Sequence, residues 1–205
     1  MNYFSFGRFN IPVALISAVM AILISSLLYK WKFNKQPGNW YLNSYLWYFL
    51  IYKLAYIPFN FSLFVKYPFS LLYFDGGTKG QIMAAAAGAI YIFRSYQKNP
   101  PLIYMEIAPL YLLNFFIFQT IECLFINNAM AGLVQLILFL GLAFLFYRMG
   151  SHFSRQVFLV IFLIEFLSLS LFSQISISFN ISFILIGFFL TLIQYYVKED
   201  LKLEK

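Results

Sequence analysis

Long apolar runs separated by short basic or polar stretches set the pattern of this chain. They cover roughly Ile11–Tyr29, Tyr41–Phe64, Ile82–Phe93, Leu102–Ile126, Ala131–Tyr147, Val157–Phe172 and Ile181–Val197. Several approach or exceed the ~18 residues that mark a membrane-spanning helix. None alternates apolar with polar positions as the strands of a membrane barrel do. In hydrocarbon every backbone amide needs an internal partner, so uninterrupted apolar runs become helices. The pattern predicts an all-α membrane protein of about seven transmembrane helices, forming one polytopic domain over residues 1–205. The third run is short. The stretch ahead of it, Lys66 to Gln81 with Asp75-Gly-Gly77 and Gly80, is expected to be a loop that dips back into the protein.

Charge adds an orientation. Lys30, Lys32 and Lys35 follow the first run, Arg94 and Lys98 the third, Arg148 and Arg155 flank the fifth and sixth, and Lys198, Lys202 and Lys205 end the chain. The alternate connections carry only Arg8, Lys66 and Lys79. By the positive-inside rule the amino terminus lies outside and the carboxyl terminus in the cytoplasm, which an odd number of spans also requires. The basic cluster follows the first run instead of preceding it, unlike a cleaved signal peptide. With 62% apolar and 10% charged residues, no separate soluble domain fits. The net charge of +7 lies mostly in those connections, where it sets topology and meets anionic lipid. No basic stripe points to nucleic acid. A single cysteine, Cys123, excludes a disulfide framework within the chain and is expected to pack as a small apolar residue.

Ionisable groups at membrane depth are costly, and each is a functional candidate. Lys53, Glu122 and Glu165 fall inside runs. Lys53, near the middle of the second, reads either as half of an ion pair or as a cation for an anionic lipid headgroup. Glu165 has to be protonated, paired or facing water, and Lys53 is a possible partner. Glu122 lies close to the outer end of the fourth run and can reach the interface. Glu106 opens that run, where the helix dipole favours a carboxylate. His152, the only histidine, lies in a loop with no carboxylate or cysteine partner nearby. Tyr29, Tyr41, Tyr45, Tyr96 and Tyr147 fall near run ends, where amphipathic rings anchor at membrane interfaces. No metal-ligand spacing, phosphate loop or nucleophile elbow occurs.

Several short motifs resemble the bacterial prolipoprotein diacylglyceryl transferases, which move a diacylglyceryl group from phosphatidylglycerol to a lipoprotein cysteine. Phe4-Ser-Phe-Gly7 resembles the usual family start. Lys53-Leu-Ala-Tyr56 stands where the family has Gly-x-Arg-x-Gly-Tyr. Tyr67-Pro68 and Phe74-Asp-Gly-Gly77 resemble its Asn/Asp-Pro and Trp-Asp/Glu-Gly-Gly stretch. Arg94, Ile107-Ala-Pro109 and Phe125-Ile-Asn127 fall where the third cytoplasmic turn, the fourth helix and the end of the signature belong. The resemblance implies the family's seven-span topology, a bacterial plasma membrane location, phosphatidylglycerol as partner with a prolipoprotein or another membrane protein beside it, and no cofactor.

The departures fall on the chemistry. Gln81 stands at the family's histidine and cannot take a proton near neutral pH. The signature becomes Gln119-Thr-Ile-Glu-Cys-Leu-Phe-Ile-Asn127 without its arginine, a bidentate phosphate partner that lysine replaces poorly. In the sixth run Arg-x-x-x-Glu-x-x-Arg becomes Ile161-Phe-Leu-Ile-Glu165-Phe-Leu-Ser168, which keeps the carboxylate and loses both arginines. The arm after the fourth run shrinks to a few residues around Asn127–Met130. The expectation is a non-catalytic relative binding phospholipid or lipoprotein in an intramembrane cavity through Lys53, Lys79, Glu122 and Glu165. The alternatives are an active transferase with a rebuilt site and a small-substrate membrane transporter.

Overall fold

The computed structural model describes residues 3–6, 9–73, 76–99, 106–126, 128–148, 154–171 and 177–203, with side chains described over 12–71, 76–99, 106–126, 128–148, 154–171 and 181–195. Along the chain run strands β1 (Tyr3–Phe6) and β2 (Phe9–Pro12), then helices α1 (Val13–Phe33), α2 (Asn39–Leu54), α3 (Tyr56–Phe59), α4 (Phe61–Lys66) and α5 (Ser70–Tyr73). There follow α6 (Gly77–Lys98), α7 (Ala108–Phe125), α8 (Ala129–Arg148), α9 (Arg155–Leu171) and α10 (Ile177–Leu203). The fold is helical apart from the small antiparallel β1–β2 hairpin, in which Tyr3 pairs with Pro12 and Phe6 with Phe9. Among the described residues three helices, α1, α7 and α8, are long and apolar enough to cross a membrane, and the apolar stretch Ile181–Tyr195 is shorter. Two compact units emerge, Met1–Pro37 with Pro101–Ser176 and Gly38–Pro100 with Ile177–Lys205.

The first unit is built around α7, which packs against α1, α8 and α9. Every residue from Ala108 to Thr120 is buried, as befits a helix apolar on all sides. Lipid tails are as apolar as leucine, so packing and hydrogen bonds drive helix association in a bilayer, and small residues favour close approach. Helix α1 follows that rule. Its buried stripe is Val13, Ser17, Ala21, Ser25 and Tyr29, at steps of four residues, and its exposed stripe is Leu15, Val19, Leu23 and Leu27. Asn128 caps α8: its side-chain oxygen accepts the Ala131 amide at 3.2 Å, and its carbonyl accepts the Gly132 amide at 2.9 Å. The α7–α8 hairpin is therefore tight. Helix α9 buries Phe158, Ile161, Phe162, Glu165 and Ser168, a stripe of three- and four-residue steps.

The second unit centres on α6, flanked by α2 and α10. Gly80, Ala84 and Gly88 line the buried face of α6 together with Gln81, Ala85, Ile92 and Tyr96. A Cβ on Gly76 would stand 2.9 Å from both the Ala55 Cβ and the Tyr52 carbonyl oxygen, so this close approach requires glycine. Gly77 has a φ of 57°, in the left-handed region that glycine adopts without strain.

Two expected spans differ from the helices observed. The second does not run unbroken from Tyr41 to Phe64, because α2 ends at Leu54 and short helices follow. Pro58 has no N–H to offer the Leu54 carbonyl, and Asn60 leaves helical geometry with a φ of −133°. The third is longer than expected. Gly77-Thr-Lys-Gly-Gln81 has loop composition, but it forms the first turns of α6, pressed against α2.

Candidate functional site

In the second unit an open groove of about 610 Å³ runs along α2 and α6, within the roughly 300–1,000 Å³ usual for ligand sites. Its apolar part is Trp47 and Ile51, one turn apart on α2, with Ala87, Ile90 and Tyr91 on α6. Its polar part is the end of α6, where Arg94, Ser95, Gln97 and Lys98 line it. Arg94 and Lys98 are four residues apart on one helix face, both exposed, near the helix end that favours cations. Neither makes an ion pair among the described residues. The described side chains of this unit include Lys53, Lys66, Lys79, Arg94 and Lys98 and no carboxylate. Such a groove can receive an amphiphile whose anionic head meets the guanidinium and whose chains lie along Trp47 and Ile51.

The residues expected from the sequence fall elsewhere. Lys53 is half-buried in the last turn of α2 rather than at mid-span, because the helix stops one residue later. Lys79 is exposed in the first turn of α6, its Nζ 5.3 Å from the centre of the Phe59 ring. Gln81 is fully buried. Its carbonyl accepts the Ser182 hydroxyl at 3.4 Å, Ser182 in turn accepts Tyr48 Oη at 2.8 Å, and neither atom of its amide has a hydrogen-bond partner among the described residues. The position that the resemblance assigns to a base is thus neutral and closed within its unit. Asp75, Asn127 and His152 lie outside the described residues.

Glu122 and Glu165 belong to the first unit, and Lys53, Lys79 and Gln81 to the second. Glu122 is buried rather than reaching an interface, since its α7 face is covered. Glu165 is fully buried on the packed stripe of α9. Across from it, Gln135 of α8 donates through Nε2 to Ser168 Oγ at 2.9 Å, and the Gln135 amide also approaches the Glu165 carboxyl. Cys123 is a free, buried thiol packed with Ala131 and Leu169, within electrostatic reach of Glu122 and Glu165. No three or more His, Cys, Asp or Glu side chains converge as metal ligands among the described residues.

Tyr29, Tyr41 and Tyr96, expected as interfacial anchors, are buried, while Tyr147 is exposed. Sequence reasoning also passed over Gln135 and the groove. Arg94 and Lys98 counted only as topology charges. The signal lay in their four-residue spacing, matched by that of Trp47 and Ile51. No protein-family model, curated protein or solved structure matches the chain.

Proposed function

We propose that the chain is a multi-pass membrane protein of about seven helices, with its amino terminus outside, which binds an anionic phospholipid such as phosphatidylglycerol without transferring its diacylglyceryl group. The observation that carries this reading is the α2–α6 groove, apolar along Trp47 and Ile51 and cationic at Arg94 and Lys98. A bacterial plasma membrane and kinship with the prolipoprotein diacylglyceryl transferases rest on the quoted motifs. The transfer itself needs a leaving phosphate stabilised and a thiol deprotonated. Gln81 supplies neither, and the interior ionisable groups Glu122 and Glu165 of the first unit are carboxyls, which offer a leaving phosphate no cation.

The test is lipid retention by the purified protein, read by native mass spectrometry from mixed phosphatidylglycerol and phosphatidylcholine. Each cation near the surface contributes about 1 kcal/mol toward an anionic lipid, so Arg94→Ala with Lys98→Ala is expected to lower phosphatidylglycerol retention roughly thirtyfold and leave phosphatidylcholine unchanged. Trp47→Ala is expected to weaken both. Equal retention of the two lipids by the wild type would refute the reading. Rescue of lipoprotein labelling in a transferase-depleted strain would favour an active enzyme instead.

A further inference from the structure

Helices α7, α8 and α9 of the first unit carry two interior carboxyl groups and no interior cation. Between Ala108 and Phe125, Ala129 and Tyr147, and Gln156 and Leu171 there is no Lys, Arg or His. Arg155 opens α9 ten residues before Glu165, about 15 Å away along the axis. Glu165 is fully buried, and neither of its oxygens has a hydrogen-bond partner among the described residues. Gln135 is 1% exposed, and its Oε1 is likewise without a partner while its Nε2 is engaged with Ser168. A second, neutral side chain thus carries an orphan oxygen close to a carboxyl that only its amide approaches and no cation pairs among the described residues. Among the described residues the titratable group within electrostatic reach of Glu165 is Cys123 of α7, which Glu122 precedes in sequence, and α8 contributes the amide of Gln135.

A bare carboxylate in such surroundings is costly, and a buried polar oxygen without a donor adds to the cost. A small cation removes both. The donors are hard oxygens, from the carboxyl of Glu165, the amide of Gln135 and the hydroxyl of Ser168, and hard cations take such ligands. One carboxylate neutralises one positive charge, and among the described residues no group of three or more His, Cys, Asp or Glu side chains closes around it to hold a divalent metal. We propose that Glu165, Gln135 and Ser168 form an intramembrane site for a single monovalent cation, a proton or a sodium ion. Ionisable groups of this kind mark the routes by which membrane proteins use ion gradients. The site belongs to α8 and α9 and is independent of the lipid groove of α2 and α6.

The test measures thermal unfolding of the full chain in detergent across pH 5 to 8, at low and high sodium chloride, with choline chloride holding ionic strength constant. A sodium site is expected to raise the wild-type midpoint by several degrees with sodium at pH 8. A proton site is expected to raise it on acidification, with no sodium effect. Glu165→Gln, isosteric and neutral, is expected to abolish the response that the wild type shows, whereas Glu122→Gln keeps it. Gln135→Met retains the carboxyl and removes the amide oxygen, and is expected to shift the response to higher cation concentration. If Glu165→Gln does not fold, infrared difference spectra of the wild type decide: a protonated-carboxyl band exchanging with pH or sodium supports the site, and its absence overturns it. A pH and sodium response unchanged in Glu165→Gln overturns it as well.

Discussion

Glu106 shows how much a single carboxylate does outside the candidate sites. It stands two residues ahead of α7 and is 7% exposed. Its Oε1 accepts the Tyr29 hydroxyl at 3.1 Å and the Lys35 ammonium at 3.0 Å. Nearby, Lys32 lies 4.1 Å from the centre of the Phe146 ring, and Trp31 stacks on Tyr147. These contacts fasten the end of α1 to the start of α7 and the end of α8. The partners of Glu106 are unequal, because Tyr29 is buried while the Lys35 side chain is 59% exposed. Removing the carboxylate strands a buried hydroxyl; removing the lysine breaks a pair that water already screens. Glu106→Ala is therefore expected to cost about 1–3 kcal/mol and Lys35→Ala about 0–1 kcal/mol. Unfolding of the purified variants in detergent measures both, and equal losses would show that the ion pair, not the tyrosine, is what matters.

At the scale of the element, close helix approach depends on glycine at some positions and not at others. On Gly76 a Cβ would meet the Gly80 Cα at 2.7 Å and the Tyr52 carbonyl at 2.9 Å, whereas on Gly88 it would meet nothing within 4 Å. Gly76→Ala is expected to lose about 1–3 kcal/mol by forcing α2 and α6 apart. Gly88→Ala is expected to be neutral or to gain up to about 1 kcal/mol from helix propensity. Thermal midpoints of the two variants check the sign. The same positions explain what the sequence could and could not convey. Apolar runs located α1, α8 and α9 to within about four residues and α7 and α10 to within about six, since in these the run and the helix share a cause. They misplaced the start of α6, because Gly77-Thr-Lys-Gly has loop composition while its packing against Tyr52 and Ala55 is a tertiary fact. Pro58 is a local signal for the break after α2, one that reading Tyr41–Phe64 as a single run does not use. For the sites, Glu165 was visible as an ion at depth. Gln135, 30 positions earlier on another helix, and the groove between α2 and α6 exist only once helices pack.

For the whole molecule, apolar side chains face outward on α1 and on α8, where Leu133, Ile137, Leu140 and Phe144 are exposed. In water so much exposed apolar surface would drive association, while in lipid it is the expected outer face. Three helices meet the length and hydropathy needed to span. The seven-span topology adds α2, α6, α9 and α10, and α2 is the critical case. Its 16 residues extend about 24 Å, short of the roughly 30 Å hydrocarbon core, so it crosses only if α3 and α4 carry the chain onward. Helix α6, with 22 residues, reaches about 33 Å. In the proposed topology the positive-inside rule would put Lys30, Lys32 and Lys35 before α2, and Arg94 and Lys98 at the end of α6, in the cytoplasm, with Lys66 outside between them. Truncations fused to an alkaline phosphatase that is active only outside test each crossing. Fusion after Gly38 is expected to be inactive, after Lys66 active and after Lys98 inactive, while a fluorescent protein fused after Lys205 should fold in the cytoplasm. Equal activity after Gly38, Lys66 and Lys98 would mean that α2 and α6 do not span, and would place the Arg94–Lys98 groove at the membrane surface rather than across its inner leaflet.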